Sequence, residues 1–159
     1  MKNRILLALG LPIAAVFGFW LNLFVIGPMI VDAGHMVLNN IVYLVFRLGT
    51  FIFLGYALAK WAGRGRAQAL SSVMLVGAFD QVLLKGLWMI RDVKKHPELW
   101  TGVSMEPTVL FVGLAQGYLF FFPFVLILAF LGIELTRFGS ELKEDRERAL
   151  EPLQSTKKR

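Results

Sequence analysis

Residues 37–61 read VLNNIVYLVFRLGTFIFLGYALAKW, and residues 69–90 read ALSSVMLVGAFDQVLLKGLWMI. At about 1.5 Å per residue, either stretch forms a helix that crosses the roughly 30 Å hydrocarbon core of a bilayer. Each carries one charge near its middle, Arg47 in the first and Asp80 in the second. An ionised group at the centre of an apolar helix costs about 2.5–3.5 kcal/mol on insertion scales, so it faces protein, water or an opposite charge. Two further apolar runs, at residues 5–31 and 109–133, complete the pattern. The expected fold is all-α: a polytopic integral membrane protein with a four-transmembrane-helix bundle over residues 1–135 and a charged tail over residues 136–159.

Composition agrees with that class. The chain of 159 residues is 57% hydrophobic with a mean hydropathy of +0.63, above the roughly 45–50% apolar share of soluble domains. Its 14 Phe, 4 Trp and 3 Tyr suit lipid-facing surface and headgroup anchoring. Cysteine is absent, which excludes disulfides, thiolate metal sites and iron–sulfur clusters. The net charge of +6 sits at the ends of the apolar runs, where lipid headgroups and topology account for it. Nucleic acid is therefore not expected as a partner.

Sidedness follows from the distribution of Lys and Arg. Lys2, Arg4, Lys60, Arg64, Arg66, Arg137 and the basic tail fall on one side, whereas the other has Arg91, Lys94 and Lys95. The positive-inside rule places both termini in the cytoplasm, with the chain in the plasma (inner) membrane. The first run is longer than the roughly 7–15 residue core of a secretory signal, so it is expected as an uncleaved span. Short connections predict antiparallel neighbours. Two small-xxx-small pairs, Gly55 with Ala59 and Gly113 with Gly117, are candidate helix-packing sites, within the chain or between copies. In the tail, Glu144 and Arg148 can support a helical turn at i,i+4, and Pro152 is expected to end it.

The polar residues of the spans crowd into one half of the membrane. Asp80 falls at the middle of its run and Arg47 about 3 Å outward of the middle of its own, so the two can meet as an intramembrane ion pair or gate. Asn22, Gln81, Lys85 and Gln116 fall at or outward of mid-depth, while Asp32, His35, Asn39 and Asn40 mark the outer edge. The inner half holds little beyond Thr50, Tyr56, Ser71 and Ser72. The expectation is a polar vestibule lined by Asn22, Gln81, Lys85 and Gln116, open outward and closed by an apolar plug. A continuous channel needs polar lining through both halves. Buried structural lock, coupled carboxylate and partner-binding charge all stay open for Arg47 and Asp80.

No cofactor or metal is expected. Bundle haem needs axial ligands from facing helices, and the only histidines, His35 and His96, fall at the edge or in a loop. Ser104-Met105-Glu106-Pro107-Thr108 resembles the Ser-Met-x-Pro-Thr box of type I signal peptidases, a resemblance confined to five residues. That family supplies a downstream lysine base on a β-rich domain, whereas Thr108 leads straight into the fourth run. A nucleophile without a held base and an oxyanion hole is no active site, so Ser104 reads as part of a helix cap. The absence of catalytic groups points to a non-catalytic accessory or assembly subunit of a larger membrane complex. The alternative is a small homo-oligomeric transporter or channel gated by Arg47 and Asp80. Expected partners are the lipid bilayer and other membrane subunits or further copies of the chain.

Overall fold

The computed structural model describes residues 2–95, 97 and 106–156, and over them it is all-helical. Four helices form the bundle: α1 (Asn3–Asp32), α2 (Met36–Lys60), α3 (Arg66–Lys95) and α4 (Pro107–Thr156). Each is long and apolar enough to cross a membrane, α4 through its Thr108–Lys143 portion. Large apolar side chains such as Leu6, Ile13, Phe17, Val45, Phe120 and Phe124 are more than half exposed around the outside. A water-soluble bundle buries such residues, so this surface suggests a multi-pass membrane protein.

The links are short because glycine lets the chain reverse at once. α1 ends in a Schellman motif, with Gly34 N–H donating to the Val31 carbonyl at 2.8 Å and His35 N–H to the Ile30 carbonyl at 3.1 Å. Gly34, at φ 82, supplies the left-handed residue this cap requires. Gly63, at φ 63, does the same between α2 and α3. Consecutive helices therefore run antiparallel. We call the end holding the α2–α3 link the termini end and the end holding the α1–α2 link the far end.

α2 and α3 form the central pair, with α1 packed on one side and α4 on the other. Backbone contact between α2 and α4 is direct. A Cβ on Gly55 would strike the Ala129 carbonyl, and one on Gly132 would strike the Ile52 carbonyl and come within 2.9 Å of Tyr56 N. Ala59 packs on the adjoining core of Phe51, Leu54, Leu58, Val73, Val125 and Ala129. Of the two small-residue pairs, Gly55 with Ala59 thus lies inside the bundle. Gly113 and Gly117 are exposed, with nothing within 4 Å of an added Cβ. Their spacing alone could not tell the two cases apart.

Polar clasps join α4 to α3. Tyr118 hydroxyl donates to the Met74 carbonyl at 2.7 Å, and Arg66 pairs with Glu134 at 2.8 Å near the termini end. Tyr118→Phe keeps the ring against Gly77 and removes only the hydrogen bond. Thermal unfolding in detergent should show a loss of about 0.5–1.5 kcal/mol; no loss would mean that the Met74 carbonyl finds another donor.

Proline bends these helices without ending them. Pro12 and Pro123 lie inside continuous helix. Ahead of Pro28 the helix widens into a π turn over Asn22–Ile26, with Gly27 N–H donating to the Asn22 carbonyl. Pro28 has no N–H and its ring crowds the carbonyl four residues back, so a wider turn relieves the clash. Pro152 differs from expectation, since α4 runs through it to Thr156. A proline removes one backbone donor, and the helix beyond it keeps its own hydrogen bonds.

Candidate functional site

Arg47 and Asp80 meet across α2 and α3. Arg47 Nη2 lies 2.5 Å from Asp80 Oδ2, with the two side chains 7% and 0% exposed. The helices place them level because they are antiparallel neighbours joined by a short link. Three rings surround the guanidinium, with centroids 4.6 Å (Phe121), 5.5 Å (Tyr43) and 6.0 Å (Phe51) from its carbon. Such faces stabilise a desolvated cation by about 2 kcal/mol. Gln81, with its amide oxygen turned toward Arg47, accepts from both terminal nitrogens. Tyr43 hydroxyl is directed at the Asp80 carboxylate. The contact is an ion pair and not a bidentate fork, because neither carboxylate oxygen of Asp80 nor Arg47 Nε has a well-aligned hydrogen bond.

Local backbone geometry puts Asp80 and Gln81 on the same cation. Adjacent residues on an α-helix point about 100° apart, yet both of these are buried. They lie in a second π turn, Phe79–Leu84, and the wider ring lets both side chains turn inward. π turns of this kind recur at functional sites. Lys85 follows the turn and acts on Asp80 through space, outside ion-pair range.

A cavity of about 340 Å³ opens above the pair, toward the far end, between α1, α2 and α3. Asn22, Asn39, Asn40, Tyr43 and Lys85 supply its inner polar lining, and Leu23, Pro28, Val31 and Trp88 its apolar wall. Asp32, Arg91, Asp92 and Lys95 border it further out along α1 and α3. Its floor is Tyr43, behind which stand Asp80 and Arg47. Toward the termini end the bundle closes on Phe51, Leu54, Leu58, Val73 and Val125, each at most 1% exposed. The hydroxyls of Thr50, Ser71 and Ser72 bond to carbonyls of their own helices at 2.7–2.9 Å, so their hydrogen-bonding capacity is spent within those helices.

The cavity gathers Asn22, Asp32, Asn39, Asn40 and Lys85, which the sequence grouped by depth. Three candidates lie elsewhere. Gln81 serves Arg47 and does not line the cavity, and His35 is exposed in the α1–α2 link. Gln116 is exposed on the outside of α4, which corrects its assignment to the vestibule. The reason is angular. Tyr118 faces the bundle, and a residue two positions from it points about 160° away. Depth says nothing about azimuth.

Tyr43, Phe121 and Trp88 are the site residues that sequence reasoning missed. In a chain with 14 Phe, one ring among many carries no signal of its own. Tyr43 stands one helical turn before Arg47 on the same face, which could have marked it. No family model, no curated protein and no solved structure matches the chain. The site therefore rests on its own geometry. Ser104, in the serine box, and His96 lie outside the described residues.

Proposed function

We propose that this chain is a small multi-pass transporter that takes a polar solute into the cavity and holds it above a gate formed by Arg47 and Asp80. One observation carries the reading: a polar cavity ends on a buried ion pair, with tightly packed apolar residues beyond it. This is the form of an alternating-access protein closed on one side, with irregular helix geometry where the cavity is lined. Both termini are assigned to the cytoplasm of a plasma (inner) membrane, because Lys and Arg are concentrated at the termini end. The cavity then opens outward.

The absence of native cysteine makes the test direct. Single variants Asn40→Cys and Lys85→Cys should react in intact cells with a membrane-impermeant maleimide, while Leu54→Cys and Val73→Cys should stay protected. Protection at positions 40 and 85 under conditions where an exposed loop cysteine reacts would sink the reading.

Membership of a larger assembly, as an accessory subunit or a homo-oligomer, is a second reading. It is favoured by the face of α4 that holds Gly113, Gln116 and Gly117, since all three are exposed. A backbone open to close approach beside an amide that needs a partner is what another transmembrane helix binds. Gln116→Leu should weaken co-purification of any partner while leaving the monomer's thermal stability unchanged. Unchanged co-purification would remove this face from assembly.

A further inference from the structure

The charges around the cavity do not cancel, and the imbalance indicates what the cavity holds. Asp80 is matched by Arg47 at 2.5 Å. Lys85, half-buried one residue beyond the π turn, has no carboxylate in ion-pair range among the described residues. Of the two acids bordering the cavity, Asp32 is exposed and Asp92 has an interaction of its own. Arg91, with its guanidinium carbon 5.8 Å from the Phe24 ring centroid, and Lys95 add positive charge further out. One cation without an ion-pair partner among the described residues thus lines a partly enclosed cavity, where a countercharge is favoured more than in bulk water.

The rest of the lining defines what else such a ligand needs. Asn22 and Asn40 carry amide donors on the lining, and Trp88, Leu23 and Val31 offer an apolar surface. Asn39 Oδ1 packs on α1 where a Cβ on Gly27 would come within 3.1 Å, so that wall is close-packed. A volume of about 340 Å³ falls at the low end of small-molecule pockets, roughly 300–1,000 Å³. We propose that the cavity binds a small amphipathic oxyanion, with Lys85 as its countercharge and the Trp88 side of the wall against its apolar part. The oxyanion could belong to a free solute or to a lipid headgroup, and both present the same group to Lys85. This inference rests on the transporter reading, since it needs an accessible cavity.

The test uses the full-length protein in phosphatidylcholine nanodiscs, read by thermal unfolding. Benzoate and phenyl phosphate are the soluble probes, and nanodiscs containing phosphatidylglycerol are the lipid arm. At least one arm should raise Tm increasingly with concentration. A response to the soluble probes identifies a free solute, and a response to phosphatidylglycerol alone identifies a headgroup. Lys85→Met should weaken the apparent affinity by about tenfold or more, Lys85→Arg should retain it, and exposed Lys94→Gln, off the cavity, should leave it unchanged. If Lys85→Met does not fold, Asn40→Leu, at an exposed position on the same lining, should weaken the response instead. No rise in any arm, or a rise that survives both substitutions, overturns the proposal. Reactive Asn40→Cys and Lys85→Cys without anion binding overturn this inference alone, whereas unreactive cysteines overturn the transporter reading beneath it.

Discussion

Gly132→Leu should abolish the folded bundle, while Gly113→Leu, on the same helix, should leave it intact. The difference lies in what a side chain would meet. At Gly132 the first added carbon lands on the backbone of Ile52 and Tyr56, and at Gly55 on the Ala129 carbonyl. Backbone cannot change rotamer, so α2 and α4 must separate along their length. Overpacking ordinarily costs about 1–3 kcal/mol where side chains can shift, and more is expected here, where they cannot. Gly132→Ala should already lower stability measurably, and Gly55→Ala with Gly132→Ala should be less than additive because one separation relieves both clashes. At Gly113 nothing lies within 4 Å. Size-exclusion profiles after heating would decide the matter. Equal survival of Gly132→Leu and Gly113→Leu would refute the close α2–α4 crossing.

Asp80→Asn should be the most damaging single change at the site, worse than Arg47→Met. Breaking a buried ion pair by removing one partner costs about 3–5 kcal/mol, because the other charge stays buried and unmatched. The two halves of this pair are not equivalent. Without Asp80, Arg47 and Lys85 are both cationic and no carboxylate stands between them. Without Arg47, Asp80 still has Lys85 acting on it through space. The double variant Arg47→Met with Asp80→Leu removes both charges and should recover most of the lost stability. The exchange Arg47→Asp with Asp80→Arg should recover less. The rings of Tyr43, Phe51 and Phe121 are arranged around position 47 and would then face a carboxylate. Thermal unfolding of the four variants tests this order. A charge exchange at least as stable as the apolar double variant would mean that the rings contribute nothing.

The limits of sequence reading are clearest along α4. Its apolar run and the charged segment beyond it are one-dimensional properties, and they read from residue order. Which face turns inward is not. Leu110, Val125, Ala129 and Ile133 are buried, whereas Phe120 and Phe124 are exposed, though all are apolar. Lipid is as apolar as a bundle core, so the polar-outside pattern that marks azimuth in soluble helices disappears. Gln116 and the Gly113, Gly117 pair point outward, while Gly132 leaves an added Cβ less room than any other described glycine. Arg47 and Asp80 were easier to read because charge at mid-depth leaves few places to go.

Residue order alone determined that four runs are long and apolar enough to span a membrane, and that one positive and one negative charge stand near the middle of consecutive runs. Those follow from the thickness of a bilayer and the cost of placing polar atoms in it, which act along the chain. Tertiary structure alone decided which helices touch, that a π turn brings Asp80 and Gln81 together onto Arg47, that aromatic rings enclose the cation, and that Lys85 faces a cavity with no carboxylate in ion-pair range among the described residues. Each of these depends on rotation about a helix axis and on the approach of residues distant in the chain, which hydrophobicity does not encode when the protein's interior and its surroundings are equally apolar.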